Sequence, residues 1–184
     1  MIRIARIYYP VKVLGPGNRI GIWTAGCKKN CRGCISPELR DAKNGVEIST
    51  NDILKIIEKV DNKVDGITIS GGEPFLYTKG LLELVIELEK ITNDIIVFTG
   101  YDYKDLLKQN DASKVLQHIS VLIDGVFDET NVSEYGLKGS DNQKIIIFRD
   151  SERYSNLETC ERAIQNVVYN NRLLSIGIPS GEKL

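Results

Sequence analysis

Residues 20–34 read IGIWTAGCKKNCRGC, an apolar run that leads directly into three closely spaced cysteines. These cysteines have the spacing CxxxCxxC and are Cys27, Cys31 and Cys34. Thiolates are soft ligands that bind zinc or iron–sulfur clusters. The segment therefore predicts a short buried strand that ends at a metal or redox centre.

The number of available ligands separates the two kinds of metal centre. A closed structural zinc site needs four ligands in a tetrahedral array, and this loop offers three. The remaining cysteine, Cys160, and the single histidine, His118, are distant in sequence. We expect Cys160 to be a packed or partly exposed thiol in a helix, and His118 to make a local hydrogen bond. A four-iron cluster fits the count better, because its fourth iron stays open to a ligand other than protein.

Length and composition predict one globular domain over residues 1–184. Of these residues, 42% are hydrophobic and 27% are charged, which is ordinary for a globular protein. No run approaches the roughly 18 apolar residues of a membrane helix, and the N-terminus lacks a secretory pattern. We therefore expect a cytoplasmic protein with no membrane partner, in which clustered thiols serve a metal or redox site instead of disulfides.

Positive charge is concentrated in residues 1–40, which contain eight Lys or Arg residues against the single acid Glu38, although the whole chain carries a net charge of −1. A basic zone beside an anionic thiolate-ligated cluster favours an acidic electron-donor protein, because such fields raise association rates. A nucleic-acid surface is the competing interpretation, and we regard it as the weaker one. An ordinary solvated face is a further alternative.

Four apolar runs predict buried strands and an α/β fold. The runs are rich in β-branched residues and nearly continuous in hydrophobicity, and segments with helical periodicity separate them, which is typical of a parallel sheet covered by helices. The runs are Ile20–Thr24, Gly66–Ser70, Ile95–Thr99 and Val121–Asp124.

The remaining elements follow from local patterns. Helical periodicity predicts four helices, at Thr50–Val60, Leu81–Ile91, Tyr103–Leu107 and Leu157–Tyr169. Ser49 or Thr50 is a suitable cap for the first of them. Two more strands are expected at Lys144–Phe148 and Leu173–Ile178, the second of which is stopped by Pro179.

Each of the four apolar runs ends in polar or ligating residues beside glycine. The endings are Ala25-Gly26-Cys27, Gly71-Gly72-Glu73-Pro74, Thr99-Gly100 and Asp124-Gly125. In parallel α/β sheets the ligand site lies outside the C-terminal ends of the strands. We therefore expect these four endings to face one pocket, although a single glycine after a strand is usually only a turn.

The pair of motifs, CxxxCxxC after one strand and Gly-Gly-Glu-Pro after the next, resembles the radical S-adenosylmethionine superfamily. Within that superfamily, several segments are similar to the small activating enzymes of anaerobic (class III) ribonucleotide reductase, which install a glycyl radical on a large partner. These segments are Gly17–Arg19, Cys31–Cys34, Thr99–Tyr101, Asp124–Phe127 and Gly139–Lys144. The tail from Ser151 to Asn171 is less familiar, and Lys144 stands where that subgroup usually has Arg.

The resemblance implies a cofactor set and a reaction. Cys27, Cys31 and Cys34 would hold three irons of a [4Fe–4S] cluster, and S-adenosylmethionine would chelate the fourth. The reduced cluster would then cleave a carbon–sulfur bond to give methionine and a 5′-deoxyadenosyl radical, which abstracts a hydrogen atom. No catalytic side chain is implied beyond the cluster and S-adenosylmethionine, and the electron donor would be of the flavodoxin or ferredoxin type.

Several further residues are candidate contacts to S-adenosylmethionine. Gly71 and Gly72 lack Cβ, so that their backbone can approach the methionyl ammonium closely, and Glu73 supplies charge or fixes the turn that Pro74 restricts. The resemblance implies that Gly33, Cys34 and Ile35 line the adenine. Asp124 is placed to bind the ribose hydroxyls or to compensate positive charge, and Thr99 offers a further hydroxyl. Asn142 and Gln143 are equally compatible with a site and with loop structure.

Chain length bears on the substrate. A complete eight-fold barrel takes about 250 residues, so we expect a partial, open (β/α) barrel of about five to six mostly parallel strands. Its open side favours a large protein substrate, namely the glycine-bearing loop of a glycyl radical enzyme such as anaerobic ribonucleoside-triphosphate reductase. One alternative is a radical enzyme of the deazapurine synthase or peptide maturase type, and a second is a zinc-dependent module that binds nucleic acid.

Overall fold

The computed structural model describes residues 1–60 and 64–180. These residues form a seven-stranded sheet in the order β3-β1-β2-β4-β5-β6-β7 and a separate hairpin of β8 and β9. The strands are β1 (Ile2–Val11), β2 (Arg19–Thr24), β3 (Val46–Ile48), β4 (Gly66–Gly71), β5 (Ile95–Phe98), β6 (Val121–Asp124), β7 (Lys144–Ile147), β8 (Ile164–Tyr169) and β9 (Arg172–Gly177).

The centre of the sheet is parallel. Strands β2, β4, β5 and β6 pair in parallel, whereas β1, β3 and β7 pair antiparallel at the flanks. The four parallel strands correspond to the four apolar runs of the sequence. The predicted α/β class with a mostly parallel central sheet is therefore confirmed.

The helices of the described residues pack on one face of this sheet. They are α1 (Thr50–Ile57), α2 (Thr78–Glu89), α3 (Tyr103–Leu106) and α4 (Asn110–Val115). Helix α2 buries Leu81, Leu84 and Leu88 against the strands, which is the face that the periodicity predicted. The Ser49 hydroxyl accepts a hydrogen bond from the Asp52 N–H, so that Ser49 is the N-cap of α1. No helix within residues 1–60 and 64–180 has the length and apolar character needed to cross a bilayer.

The C-terminal part of the chain packs on the opposite face of the sheet. Tyr154, Leu157 and Ile176 are buried there in a second core, together with Trp23 of β2 and Ile96 of β5. The two faces of the central strands are therefore covered by different parts of the chain, the helices on one side and residues after 150 on the other.

The predicted helix over Leu157–Tyr169 is wrong, because its second half is strand β8. Residues 164–169 alternate between exposed and partly buried positions, which is the period of a strand with one covered face. Asn170 and Asn171 then adopt φ values of 49° and 58°, which form the two-residue turn into β9. Cys160 therefore precedes the hairpin and does not lie in a helix.

Strand β1 was not predicted from the sequence, although it is the longest strand described. It pairs with both β2 and β3. Its residues carry a partial alternation of apolar and charged side chains, IRIARI, which is the signal that would have located it. Helix α4 and the short strand β3 were missed as well.

A buried ion pair joins the beginning of β2 to the segment that precedes β5. The Arg19 side chain is fully buried, and its Nη2 donates to Asp94 Oδ1 at 2.7 Å, while its Nε donates to the Thr68 hydroxyl at 2.7 Å. The Tyr154 hydroxyl donates to the same Asp94 oxygen at 2.7 Å, and Arg153 Nε donates to Asp94 Oδ2 at 2.8 Å. Asp94 therefore attaches the C-terminal segment to the N-terminal ends of the parallel strands.

Replacement of Asp94 by Asn tests this attachment. Burial raises the pKa of the Asp94 carboxyl, but the hydrogen bonds from Arg19, Tyr154 and Arg153, together with the charge of Arg19, hold the pKa below its usual value. The carboxylate therefore stabilises the fold fully above the unfolded pKa of about 4, and the stabilisation is lost as pH falls through the lower folded value.

We expect Asp94→Asn to lower the free energy of unfolding by about 3 kcal/mol near neutral pH, because Arg19 would be left buried without a countercharge. The difference from the unmutated protein should shrink as pH falls below about 4. Urea denaturation followed by Trp23 fluorescence over a pH series measures both effects. The exposed Asp105→Asn is the control, and equal stability of the two variants at neutral pH would contradict the assignment.

Candidate metal centre

The three clustered cysteines lie in the loop that leaves the C-terminal end of β2. Cys27, Cys31 and Cys34 are half-buried free thiols. In the described part of the chain, no three His, Cys, Asp or Glu side chains converge on a point where one metal ion would bind. A four-iron cluster instead offers separate corner irons to separate thiolates, and its ligands stand further apart. The donor set of three thiols therefore fits such a cluster and does not fit a closed single-zinc site.

The short 3₁₀ segment Pro37–Arg40 packs against the cysteine loop and forms hydrogen bonds with it. Backbone N–H groups of Gly26 and Cys27 donate to Leu39 O at 2.8 Å and Arg40 O at 3.0 Å. The Arg40 guanidinium also donates to the Asn30 side chain at 3.1 Å and to the carbonyl of Cys31. The backbone of the loop is therefore fixed between its first and second cysteines.

The other end of the loop contacts the segment after β6. Gly33 has a φ of 68°, and a Cβ at this position would lie 3.0 Å from Glu129 Oε2 and 3.3 Å from the Phe127 ring. Arg32 forms an ion pair with Glu129, with 2.7 Å between Nε and Oε1. Glycine at position 33 therefore allows the loop to adopt a left-handed turn against this segment.

Gly71 and Gly72 bring the end of β4 against the start of the cysteine loop. A Cβ on Gly71 would lie 2.3 Å from Thr24 N, and one on Gly72 would lie 2.3 Å from Gly26 O. The backbone N–H groups of Gly72 and Glu73 donate to Thr24 O and Gly26 O, both at 2.8 Å. Glycine at both positions is therefore needed for the backbone after β4 to pack against the start of the cysteine loop, whether or not a ligand also approaches it.

Glu73 connects the ends of β4 and β5. Its side chain is 2% exposed, and Oε1 accepts from the Thr99 hydroxyl at 2.8 Å and from Phe75 N at 3.0 Å, while Oε2 accepts from Gly100 N at 2.7 Å. Burial raises the pKa of Glu73, and the hydrogen bonds from Gly100 and Thr99 oppose that shift. Of the two roles predicted for Glu73, fixing the turn is the one seen here. Pro74 begins the 3₁₀ turn that follows.

Lys29, between the first two cysteines, extends over the end of β5. Its Nζ lies 3.5 Å from the centroid of the Tyr101 ring, a cation–π contact. Its stem is also the nearest neighbour of Gly100. Burial raises the pKa of the Cys27 thiol, and a hydrogen bond from the Lys29 N–H, 3.4 Å from Sγ, opposes that shift. The cysteine loop therefore contacts the segments at the C-terminal ends of β4, β5 and β6, which the sequence predicts to face one pocket.

Thr99 and Asp124 occupy the predicted strand ends and are both buried. The Thr99 hydroxyl donates to Glu73 and accepts from Tyr101 N at 3.1 Å. Asp124 Oδ2 accepts from Tyr103 N at 2.7 Å, at the start of α3, and Oδ1 accepts from Lys144 N at 3.1 Å. Both side chains therefore have structural roles at the rim of the site.

Asn142 and Gln143 bond to backbone of the segment between β6 and β7. Gln143 donates to Gly125 O at 2.8 Å and accepts from Gly139 N at 2.8 Å, and Asn142 donates to Val126 O at 2.7 Å. These bonds correspond to the loop role that the sequence left open for both residues.

Cys160 and His118 lie away from the cysteine loop. Cys160 lines a small cavity with Gly15 and Pro16, which precede β2, whereas the three clustered thiols follow β2. His118 Nδ1 lies 2.7 Å from Glu89 Oε2, which is the local hydrogen bond predicted for it.

Ile35 follows the last cysteine and is 61% exposed. It lines a cavity of about 790 Å³ with Trp23, Ser70 and Phe98, which lie at or next to the C-terminal ends of β2, β4 and β5. The cavity therefore adjoins the C-terminal end of the cysteine loop, at Ile35 and Ser36, on the sheet face that the C-terminal segment partly covers. Trp23, Ser70 and Phe98 carry no motif, so the sequence did not mark them as site residues.

Comparisons with known proteins agree on one family. Residues 13–146 match the family model described as a 4Fe-4S single cluster domain. The chain is similar to proteins named anaerobic ribonucleoside-triphosphate reductase-activating protein from Enterobacteria phage T4, with 30% identity over 76% of this chain and 90% of the relative, and from Vibrio cholerae, with 32% identity over 77% and 96%. The Escherichia coli K12 protein of the same name is 30% identical over 75% and 94%.

A Gly72→Ala substitution tests the close contact between β4 and the loop. The new Cβ would clash with the backbone oxygens of Gly26 and Leu39, at 2.3 and 2.7 Å, and would displace the loop. We expect the purified variant to lose most of its iron and its free energy of unfolding to fall by about 2 kcal/mol. Gly100→Ala is the matched control, because its nearest neighbour is the flexible Lys29 side chain at 3.0 Å. Full iron content in Gly72→Ala would refute the argument.

A Glu73→Gln substitution tests the connection between β4 and β5. An amide NH₂ would replace one carboxylate oxygen and face a backbone N–H donor, so we expect the free energy of unfolding to fall by about 2 kcal/mol. Glu83→Gln, on the exposed side of α2, is the control. Chemical denaturation of both variants measures the difference, and unchanged stability of Glu73→Gln would show that the hydrogen bonds of the carboxylate are dispensable.

Proposed function

Because the chain belongs to the family of anaerobic ribonucleoside-triphosphate reductase-activating proteins, we propose that it generates a glycyl radical on a partner enzyme of that class. The observation that carries the proposal is the loop of three free thiols at the C-terminal end of β2. Backbone hydrogen bonds attach this loop to Pro37–Arg40 and to the Gly71-Gly72-Glu73 turn. This loop lies within the range that matches the 4Fe-4S cluster family.

Cys27, Cys31 and Cys34 are the residues that would hold the [4Fe–4S] cluster, and S-adenosylmethionine would bind beside them. A bound, reduced cluster would supply the one-electron chemistry that cleaves S-adenosylmethionine and thereby removes a hydrogen atom from a glycine of the partner. The loop contacts of Arg40 and Gly33 would hold the thiols in place for the cluster.

Residues around the loop would bind S-adenosylmethionine. Backbone groups of Gly71, Gly72, Glu73 and Pro74 would face its methionyl end. Gly33, Cys34 and Ile35 would face the adenine, which is supported by the exposure of Ile35 at the cavity beside the thiols.

Asp124 and Thr99 would contribute to the same pocket from the ends of β6 and β5. Each Asp124 oxygen already accepts one backbone N–H, at 2.7 and 3.1 Å, and a carboxylate oxygen has capacity for a further donor such as a ribose hydroxyl. The Thr99 hydroxyl is already shared between Glu73 and Tyr101, so its role would be to position Glu73.

The finer architecture that we propose is a partial, open (β/α) barrel in one domain over residues 1–184, in the cytoplasm. Support comes from the parallel centre of the sheet, because α1–α4 lie on one of its faces and its other face borders the cavity. A flavodoxin- or ferredoxin-type protein would supply the electron. The exposed side chain of Lys28, next to Cys27, provides positive charge that an acidic donor would recognise.

The cysteine set and the partner reaction are testable together. Anaerobically purified protein should be brown and contain about four irons per chain, and Cys27→Ala, Cys31→Ala and Cys34→Ala should each lose the cluster. Cys160→Ser is the matched control and should keep full iron content. With reductant, S-adenosylmethionine and anaerobic ribonucleoside-triphosphate reductase, electron paramagnetic resonance should show a glycyl doublet.

Other outcomes of the same experiment would support the alternatives. Cleavage of S-adenosylmethionine with turnover of a purine or a short peptide, and no glycyl doublet, would favour the deazapurine synthase or peptide maturase type. The cavity of about 790 Å³ is large enough for such a substrate. A colourless protein that contains zinc would instead support the nucleic-acid-binding module.

A further inference from the structure

The C-terminal hairpin of β8 and β9 lies beyond residue 146, where the match to the cluster family ends. Its register is regular, with Tyr169 opposite Arg172, Asn166 opposite Ser175 and Ile164 opposite Gly177. The pair that closes a two-residue turn exchanges both of its backbone hydrogen bonds, and such pairs then alternate with pairs that exchange none. Leu173 and Ser175 therefore direct their backbone N–H and C=O groups away from β8.

The hairpin is attached to the rest of the protein through β8. The Gln165 side chain donates to Pro10 O at 2.7 Å and accepts from Lys12 N at 2.9 Å, so that it bridges two backbone groups at the end of β1. The rings of Tyr169 and Tyr8 meet edge to face, with 6.2 Å between centroids. The hairpin therefore contacts β1 through the face that carries Gln165 and Tyr169.

The cavity beside the thiols borders β9 along its edge. Seven consecutive residues from Arg172 to Ile178 line it, whereas β8 contributes only Tyr169 among the described residues. Side chains of a strand alternate between two faces, so a cavity lined by every residue in succession meets the backbone edge of the strand. Within residues 1–60 and 64–180, β8 is the one strand that pairs with β9.

Residues next to the candidate metal centre line the same cavity. Trp23, Ser70 and Phe98 come from the ends of β2, β4 and β5, and Ile35 and Ser36 continue the cysteine loop. The edge of β9, the ends of three parallel strands and the residues that follow the last cysteine therefore line one cavity of about 790 Å³.

The outer face of the hairpin is also apolar. Val168 and Leu173 form a cross-strand pair and are 76% and 74% exposed. Exposed edge strands with apolar neighbours are prone to pair with another chain, and proteins usually protect them with charge or proline. β9 has neither protection between Leu173 and Gly177, which is expected if a partner covers this edge when it binds.

We propose that the free edge of β9 binds the glycine-bearing segment of the partner enzyme as an added antiparallel or parallel strand. This inference rests on the proposed function, which requires a glycine of a protein to reach the thiol end of the sheet. A strand of six residues spans about 20 Å, so backbone pairing along β9 would guide an extended segment past Ile35. Backbone hydrogen bonds supply affinity in this mode of recognition, and a glycine presents no side chain that would obstruct the approach.

Hydrogen exchange tests the docking directly. The holoprotein is mixed anaerobically with the anaerobic ribonucleoside-triphosphate reductase of the same organism, and amide exchange is measured at single-residue resolution. We expect exchange at Leu173 and Ser175 to slow by at least about tenfold, which corresponds to a hydrogen bond worth about 1.4 kcal/mol. The amide of Asn166, which points away from β9 on the other strand, should change little. Unchanged exchange at Ser175 in the presence of bound reductase overturns the proposal.

A pair of proline variants supplies the matched comparison. Ser175→Pro removes an N–H on the free edge of β9, and Asn166→Pro removes the N–H of the residue opposite it on the outer edge of β8. Both variants lose the same 2.7 Å hydrogen bond between the Ser175 and Asn166 side chains. Proline is tolerated where the N–H of an edge strand points outward. Circular dichroism is used to check that both variants fold. We expect about tenfold weaker reductase binding for Ser175→Pro and unchanged binding for Asn166→Pro.

Separate readouts distinguish failure of this inference from failure of the proposed function. Iron content and cleavage of S-adenosylmethionine without the reductase are measured in all three proteins, so that damage to the metal centre is distinguished from a loss of docking. A glycyl doublet in the unmutated protein, together with equal reductase binding by both variants, would refute β9 docking alone. Absence of the doublet in the unmutated protein refutes the proposed function, while protection of Ser175 by the reductase would still support docking.

Discussion

The candidate metal centre depends on a close approach of two backbones, between the end of β4 and the start of the cysteine loop. Gly72 and Glu73 donate to Thr24 O and Gly26 O, both at 2.8 Å, and a side chain on Gly71 or Gly72 would overlap those backbone atoms. The start of the loop is therefore placed by the neighbouring parallel strand. Buried Glu73 extends this attachment to β5 through Thr99 and Gly100.

The opposite end of the sheet is held by charge. Arg19 and Asp94 form a buried pair at the N-terminal ends of the parallel strands, and Tyr154 and Arg153 join it from the C-terminal segment. A buried pair of this kind adds little net stability over an apolar core, but it cannot be broken on one side without a large cost. Here the ion pair fixes the course of the C-terminal segment, so that residues after 150 run across the face of the sheet opposite α1–α4. The β8–β9 hairpin then reaches the cavity beside the thiols.

Much of the fold was accessible from local pattern. Continuous apolar runs located the parallel strands, because strands buried on both faces must be apolar along their whole length. The period of 3.6 located α1 and α2. The helix expected over Leu157–Tyr169 was wrong because β-branched residues and the Asn170-Asn171 turn make a short hairpin there, and a short apolar segment fits either period. β1 was missed because its alternation is interrupted by Ala5 and by Tyr8-Tyr9.

The sequence by itself determined the chemistry: three thiols with a fixed spacing in one loop, two glycines and a carboxylate after the next strand, and the parallel α/β class. These are properties of residue type and of nearest neighbours along the chain. The tertiary structure alone decided which groups meet at the site. That Gly72 contacts Gly26, that Glu73 contacts Thr99, and that the edge of β9 and Ile35 line one cavity are long-range pairings. Such pairings arise from packing of the whole core and leave no periodic signal in the chain.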